Sequence, residues 1–196
     1  MNNGEALRDG VKQAYTTIAE HPFDEPLFPT GRALAEALGY PADLLDTLPK
    51  ASVEAFCGVS NVSVFAEIHD GDIVLDLGAG AGLDTLIAAK RAGKSGKVIA
   101  IDFSDAMLAR SREAISEAQA TNVETHLADA ERLPIADASV DVVIVNGIFN
   151  LNPHRARIFC ELARVVRPGG MVFAAELVLS GAFTREQRAD STNWFS

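Results

Sequence analysis

Glycines between an apolar run and a helical pattern form the part of this sequence best suited to hold a ligand. Glycine stands at positions 78, 80 and 82, and Asp76 precedes the first of them by two residues. Glycine lets the backbone take positive φ angles and approach a ligand closely, and the N-terminus of the following helix offers unpaired N–H groups. The pattern predicts a ligand-binding turn, although many strand–helix turns use glycine for packing alone.

A second carboxylate indicates that the ligand carries a ribose. Asp102 ends the next apolar run, 20 residues after Gly82, where a carboxylate can accept hydrogen bonds from both ribose hydroxyls. A dinucleotide fingerprint needs Gly or Ala where Leu83 stands here, and the carboxylate of Asp76 would repel a pyrophosphate. A carboxylate beside the glycines instead suits a ligand with an ammonium and a sulfonium, and S-adenosylmethionine fits that description.

Strand and helix patterns alternate from residue 72 onward and must position these residues. Short β-branched runs predict buried strands, with helical periodicity between them. We predict strands at 73–77, 98–103, 123–127, 140–145 and 171–179, and helices at 83–92, 105–118 and 154–166, the second capped by Ser104. Links of a few residues indicate βαβ units. The predicted fold class is α/β, a Rossmann-like, doubly wound and mainly parallel sheet.

The first 68 residues have no strand pattern and predict an N-terminal helical cap. Val11, Tyr15 and Ile18 recur at helical spacing, which predicts an amphipathic first helix that ends before the first proline. Shorter helices are predicted at 32–38, 41–48, 52–56 and 62–68, with an irregular loop at 22–30. We divide the chain into the cap, residues 1–68, and a ligand-binding domain, residues 69–196.

Composition argues against several other classes of function. The chain has 17 Lys and Arg against 27 Asp and Glu, a net charge of −10, whereas phosphate-backbone binding needs a basic face. No apolar run approaches the roughly 18 residues of a spanning helix, and the start lacks the features of a signal peptide. Cys57 and Cys160 cannot fill a four-ligand zinc site alone. We expect a cytoplasmic protein that binds no nucleic acid, no membrane and no metal.

Five motifs in order make the sequence resemble the class I S-adenosylmethionine-dependent methyltransferases over about residues 70–180. The stretch VLDLGAGAG at 74–82 resembles their first motif, and Ile101-Asp102 resembles the acidic end of their second strand. The later motifs are matched by ADA at 128–130, LPIADASVD at 133–141 and RVVRPGG at 164–170. The resemblance implies S-adenosylmethionine as the cofactor, S-adenosylhomocysteine as its product, and the Rossmann-like fold of that class.

The resemblance assigns the methionine part of the cofactor to the glycine turn. The backbone of Gly78, Ala79 and Gly80 would hold this part, and Asp76 would support its ammonium. From the residues alone, Asp76 remains open to a structural role as a carboxylate that caps the following helix.

The resemblance assigns the remaining parts of the cofactor to residues after the later strands. Asp102 would bind the ribose, and Phe103 would lie against the adenine face. Asp129 would accept from the adenine amino group, and the N–H of Ala130 would meet a ring nitrogen. Asn146 would face the methyl-transfer region. Asp129 as a turn residue and Asn146 as a partner of nearby backbone groups remain structural alternatives.

Within this class the sequence is most similar to the arsenite methyltransferases and their relatives. The similar segments are 35–48, 58–61 and 146–151. Arsenic is held by cysteine thiolates, and the loop and fourth-strand cysteines of that branch fall here on Val59 and Gly147. We therefore expect a small-molecule acceptor that offers carbon, oxygen or nitrogen.

Two other functions stay open from the residues alone. A cofactor-binding module without turnover would keep Asp76, Asp102 and the glycines, so the sequence does not separate it from an enzyme. An NAD-dependent oxidoreductase is disfavoured by Leu83. No histidine or cysteine has a reaction partner placed by spacing, so we assign no catalytic residue.

The C-terminal part departs from the family pattern. Methyltransferases of this class add two strands after the fifth, whereas this sequence ends 17 residues after Leu179. We expect those two strands to be missing, as in a shortened form of a longer chain. The fifth strand would then be an exposed edge that a homodimer partner could cover. Glu176, in the predicted fifth strand, either faces the pocket or points outward.

Overall fold

Five helices precede the first strand in the computed structural model, which describes residues 3–20 and 29–178. They are α1 (Asn3–Glu20), α2 (Gly31–Ala37), α3 (Ala42–Leu45), α4 (Lys50–Glu54) and α5 (Val62–Phe65). The amphipathic pattern of α1 is confirmed, since Val11 and Ile18 are buried. Most of the loop predicted at 22–30 lies outside the described residues. Within them, no helix has both the length and the apolar character needed to cross a bilayer.

A five-stranded parallel sheet follows, with helices between its strands. The strands are β1 (Ile73–Leu77), β2 (Lys97–Asp102), β3 (Val123–Leu127), β4 (Val140–Asn146) and β5 (Val166–Ala175). The helices are α6 (Leu83–Ala92), α7 (Asp105–Glu117) and α8 (Arg155–Val165). The strand order is β3-β2-β1-β4-β5, and every neighbouring pair is parallel. The Rossmann-like, doubly wound sheet predicted from the sequence is confirmed.

The strand order determines where a ligand can bind. The chain runs outward from β1 to β2 and β3, then returns to place β4 on the other side of β1. In open α/β sheets such a reversal leaves a crevice beyond the carboxyl ends of the strands. The turn after β1 and the residues that end β2 and β4 all lie at this edge.

The cap and the sheet region share one apolar core. Tyr40, Leu45 and Phe56 of the cap pack in one buried cluster with Leu83 and Leu86 of α6. A carbonyl of α1 also accepts a hydrogen bond from a side chain of α7. The division of the chain at residue 68 remains a prediction.

The start of the fifth strand differs from the prediction. β5 begins at Val166, directly after α8, rather than at Met171. Val166 pairs with Val140, the register then shifts, and Met171 pairs with Val142. The intervening residues bulge outward around Gly169, whose φ is +84°, a conformation that favours glycine. The predicted strand, 171–179, therefore starts only after this bulge.

Two local predictions have clear outcomes. The hydroxyl of Ser104 accepts the N–H of Met107, which confirms it as the N-cap of α7. β5 is an edge of the described sheet, and Met171 and Val172 on it are 48% and 43% exposed.

Candidate functional site

One cavity opens at the carboxyl ends of β1, β2 and β4. Its walls come from the turn after β1, the residues after β2, β3 and β4, the cap segment 55–58 and α1. Eight of the nine site residues predicted from the sequence line this cavity: Gly78, Ala79, Gly80, Asp102, Phe103, Asp129, Ala130 and Asn146. The fold therefore brings together residues that are spread over about seventy positions of the chain.

The glycine turn is tied to the end of the neighbouring strand. The N–H groups of Gly78 and Ala79 donate to the carbonyl of Ile101 at 2.8 and 3.0 Å. Gly78 has a φ of +81°, and a Cβ on it would overlap the side chain of Ile148. Glycine is needed here both for the backbone conformation and for the close approach of the segment after β4.

Asp102 holds the turn from the end of β2. One carboxylate oxygen accepts the N–H of Gly80 at 2.8 Å, and the other accepts the N–H of Ser104 at 2.8 Å. Burial raises the pKa of Asp102, and these backbone hydrogen bonds oppose the rise. The carboxylate lines the cavity next to the turn, and its role toward a ribose remains a prediction.

Asp76 is the one predicted site residue that does not line the cavity. It is buried beneath the turn, 3% exposed, and accepts the hydroxyl of Thr85 at 2.5 Å. Burial raises its pKa to about 8, and the charge of Asp84 adds to the rise. Its partner is thus a side chain in the first turn of α6. The predicted contact of Asp76 with an ammonium remains a prediction.

Asp129 and Ala130 follow β3 and line the same cavity as the glycine turn. A carboxylate oxygen of Asp129 accepts the N–H of Glu131 at 3.0 Å, as expected of an aspartate that also forms a turn. Both residues line the cavity together with Phe103. Their predicted contacts with adenine remain predictions.

Asn146 ends β4 and bonds to the cap. Its Oδ1 accepts the N–H groups of Val59 and Ser60 at 2.8 and 3.1 Å. Its Nδ2 donates to the carbonyl of Ser60 at 2.7 Å and to Asp84 at 2.8 Å. The amide therefore bonds to backbone groups of the cap rather than to those after β4, and its predicted position facing the methyl-transfer region remains a prediction.

The buried carboxylate of Asp84, in the first turn of α6, was missed by the sequence analysis. Besides Asn146, it accepts the hydroxyl of Tyr40 at 2.6 Å and the hydroxyl of Ser63. Burial raises the pKa of Asp84, and the three hydrogen bonds lower it in part. The position directly after the glycine turn was the only signal, because the partners lie 21 to 62 residues away along the chain.

The cap side of the cavity carries a tyrosine and a thiol. Tyr15 of α1 and Cys57 both line the cavity. Burial raises the pKa of Tyr15 well above its usual range, and the charges of Cys57 and Asp102 add to the rise. Burial also raises the pKa of Cys57 to about 12. Both groups are therefore protonated and uncharged at neutral pH.

Glu176, whose direction the sequence left open, points toward the segment after β4. One of its carboxylate oxygens accepts the N–H groups of Phe149 and Asn150 at 2.6 and 3.2 Å. The carboxylate thus fixes the chain beyond Gly147. Cys160 is exposed on α8.

Val59 packs against Gly147, and Gly147 lines the cavity. A Cβ on Gly147 would lie 3.0 Å from a methyl carbon of Val59. The two positions on which the arsenite-branch cysteines fall are therefore neighbours in space. Neither carries a sulfur atom in this chain.

Comparisons with known proteins agree with this geometry. A protein-family model described as "Methyltransferase domain" matches residues 68–195. An arsenite methyltransferase of Halobacterium salinarum is 38% identical over 156 residues, covering 80% of this chain and 40% of that protein. A ubiquinone/menaquinone biosynthesis C-methyltransferase of Bordetella parapertussis is 34% identical over 132 residues, covering 67% and 49%.

A solved structure shows the same fold. The arsenic(III) S-adenosylmethionine methyltransferase from Chlamydomonas reinhardtii superposes with a TM-score of 0.63 at 27% identity, covering 83% of this chain and 54% of that one. The chain thus spans about half the length of the curated relatives it matches. The family match and the parallel sheet confirm the resemblance drawn from the motifs, and this chain belongs to the class I S-adenosylmethionine-dependent methyltransferases.

Proposed function

We propose that this chain transfers the methyl group of S-adenosylmethionine to a small-molecule acceptor in the cavity beyond β1, β2 and β4. The observation that carries the proposal is the convergence of the predicted cofactor residues, from four segments of the chain, on one cavity. The glycine turn presents a backbone that only glycine adopts easily, beside the buried carboxylate of Asp102. This combination suits a ligand with a ribose and a cationic amino-acid part.

The proposed reaction needs positioning more than side-chain chemistry. The cofactor supplies a methyl group on a sulfonium, which is displaced in line by the acceptor. In this chain Gly78 to Gly80 would orient the donor, while Val11 and Tyr15 of α1 would exclude water from the same cavity. A base is needed only where the acceptor must lose a proton.

We propose that the acceptor atom is carbon, oxygen or nitrogen. A soft element such as arsenic needs thiolates, and the meeting point of Val59 and Gly147 carries none. Cys57 lies nearby, but its raised pKa keeps it as a neutral thiol. The relative from Bordetella parapertussis is a C-methyltransferase by name, which supports including carbon acceptors.

Cofactor binding is tested by calorimetric titration of the purified protein with S-adenosylmethionine and, separately, with NAD. We expect S-adenosylmethionine to bind and NAD not to bind. Asp102→Ala should weaken S-adenosylmethionine binding at least about tenfold, because it removes both the ribose acceptor and the bond to Gly80. Asp105→Ala is the matched control, since that carboxylate lies three residues further along the chain, at the start of α7, and is 74% exposed. Tight binding of NAD instead would contradict the proposal.

Turnover separates an enzyme from a cofactor-binding module. The protein is incubated with S-adenosylmethionine and a panel of phenolic, amine and quinol acceptors, with arsenite as the expected negative, and S-adenosylhomocysteine is measured by mass spectrometry. Product above the acceptor-free background supports the methyltransferase. Binding without product from any acceptor supports the module, and methylated arsenic would contradict the acceptor assignment.

We further propose that the protein acts in the cytoplasm and that a second copy covers the edge formed by β5. The exposed Met171 and Val172 support a second copy at this edge, because a long apolar edge strand readily pairs with another chain. Sedimentation velocity over a hundredfold concentration range should show a dimer that Met171→Lys/Val172→Lys converts to a monomer. A wild-type monomer at every concentration would contradict the proposed dimer.

A further inference from the structure

We propose that Asp84 and Asn146 are positioning residues that couple the cofactor turn to segment 57–60 of the cap, which we term the acceptor loop. Through this pair, a ligand seated on the glycine turn would order the opposite wall of the cavity. The inference rests on the proposed function, because both walls belong to the cavity assigned to the cofactor and the acceptor.

The amide of Asn146 is saturated by the protein. Its oxygen accepts the N–H groups of Val59 and Ser60, and its nitrogen donates to the Ser60 carbonyl and to Asp84. A side-chain amide offers two donors and two acceptor lone pairs. Asn146 therefore has no bond left for a ligand and acts through the acceptor loop.

Asp84 links that amide to the cofactor turn. It is the second residue of α6, whose N-cap is Gly82, the last glycine of the turn. Its carboxylate also receives the hydroxyls of Tyr40 and Ser63 from two other segments of the cap. One buried carboxylate thus joins the helix that starts at the turn, the end of β4 and the cap. A buried network of this kind is stiff, because each bond strengthens in the low local dielectric.

Close packing leaves the acceptor loop little freedom around this pair. A Cβ on Gly58 would lie 2.5 Å from Nδ2 of Asn146 and 2.8 Å from the ring of Phe56. On its other side the loop touches Gly147 through Val59. A displacement of the loop must therefore break the bonds to Asn146.

A ligand on the glycine turn would act both on α6, which carries Asp84, and on the segment that follows Asn146 at the end of β4. Gly78 is in van der Waals reach of Ile148, the residue after Gly147. A bound cofactor that fixes the turn would limit the opening of α6 and of the segment after β4 together. The opening of the acceptor loop should then become rarer, and its amides should exchange more slowly with solvent.

The test uses amide hydrogen exchange of Val59 and Ser60, followed by NMR on the ¹⁵N-labelled full chain with and without saturating S-adenosylmethionine. In the wild type we expect the cofactor to slow both amides at least about tenfold. Asn146→Asp places a second carboxylate against Asp84 and should abolish this response. Saturation is checked for every variant by calorimetry, so that a change in affinity is not mistaken for a loss of coupling.

Reciprocal rescue separates positioning from a general loss of structure. In Asp84→Asn/Asn146→Asp the new carboxylate accepts the same two N–H groups, and the new amide donates across the pair. The donation to the Ser60 carbonyl is lost in the single and the double variant alike, so part of the response should return relative to Asn146→Asp. Tyr40→Phe removes one outer bond with little change of shape and should weaken the response partly. Asn61→Asp is the matched control, because its amide bonds to the Gly39 carbonyl outside this network.

The outcomes are distinct. A cofactor-dependent response that survives in Asn146→Asp, or a folded double variant that shows no rescue, overturns the inference. So does a wild type that binds S-adenosylmethionine without any change at Val59 and Ser60. A wild type that binds no S-adenosylmethionine overturns the proposed function and this inference with it.

Discussion

The carboxyl group of Asp76 illustrates how burial changes the chemistry of a motif residue. It accepts the hydroxyl of Thr85, lies close enough to Asp84 to be affected by its charge, and has a pKa raised to about 8. At neutral pH the raised pKa favours the protonated form of this group. A cationic ligand in the cavity above would favour the ionised form.

A first prediction concerns stability as a function of pH. The folded protein holds a proton on Asp76 up to about pH 8, whereas an unfolded aspartate loses it near pH 4. The free energy of unfolding should therefore fall as pH rises from 5 to 8, with a contribution from this residue of up to about 1.4 kcal/mol per pH unit. Urea unfolding at several pH values measures it, and Asp76→Asn should make the slope shallower.

Asp105→Asn is the control for this prediction, because that carboxylate is exposed. It should leave the slope unchanged. Equal slopes in the wild type and in Asp76→Asn would show that Asp76 is ionised in the folded protein.

A second prediction at the residue scale concerns Arg164 of α8. Its guanidinium binds Glu161 and the carbonyls of Leu133 and Ile135. Hydrogen bonding to Arg164 lowers the pKa of Glu161 to about 2. Arg164→Met should lower the free energy of unfolding by about 1–3 kcal/mol at pH 7, since it leaves polar groups without partners.

Stability measured at acid pH tests the pair formed by Arg164 and Glu161. A depressed carboxyl pKa stabilises the fold above the unfolded value near 4.5, and this contribution is lost as pH falls toward 2. The difference between wild type and Arg164→Met should therefore shrink below pH 4.5. Arg112→Met is a suitable control, because that arginine and its partner Asp105 are 47% and 74% exposed, so the change should cost little.

At the scale of elements, the acceptor loop can approach the end of β4 because its residue 58 is glycine and has no side chain. A third prediction is that Gly58→Ala destabilises the protein by about 1–3 kcal/mol, because its Cβ would lie 2.5 Å from Asn146. In Gly169→Ala, in the bulge of β5, the added Cβ meets no atom within 4 Å, so the only unfavourable factor is the positive φ of this residue. This substitution should cost about 1 kcal/mol. Thermal unfolding compares the two, and a larger cost at Gly169 would contradict the packing argument.

The elements themselves were predictable to different degrees. β1 and α6 have the bounds that the sequence predicted, because a continuous β-branched run and a glycine turn mark them clearly. α3 and α5 are shorter than predicted, since short helices depend on packing rather than on local pattern. The early start of β5 escaped prediction because a bulge interrupts its pairing with β4.

At the scale of the whole molecule, the shared core links the cap to the sheet region. A fourth prediction is that Leu45→Ala, in the cap, lowers the stability of the entire chain by about 2–4 kcal/mol. Leu45 is 1% exposed and packs in the cluster that contains Leu83 and Leu86 of α6. Chemical unfolding followed by circular dichroism and by tyrosine absorbance should show one transition for wild type and variant.

Two separate transitions, with only one shifted by Leu45→Ala, would contradict this prediction. They would instead support the division at residue 68 as one between independently folding domains. Phe65→Ala serves as the control, because this side chain is 48% exposed and lies outside that cluster.

The candidate site was predictable as a set of positions but not as a set of contacts. The glycine turn, Asp102 and Asn146 stand at the ends of strands, and parallel strands bring their carboxyl ends to one edge. Spacing along the chain therefore sufficed to place them together. It did not show that Asp76 lies beneath the turn, or that Tyr40 and Ser63 converge on Asp84.

The sequence by itself determined the fold class, the edge of the sheet where the predicted site residues gather and the family, because each follows from local periodicity and ordered motifs. Only the tertiary structure decided which polar groups are buried together and which remain in the cavity. Hydrogen bonds such as that from Asn146 to Asp84 join residues 62 positions apart, and burial together with nearby carboxylates raises the pKa of Asp76 and of Cys57. Such effects depend on distances in space, and the order of residues along the chain does not contain them.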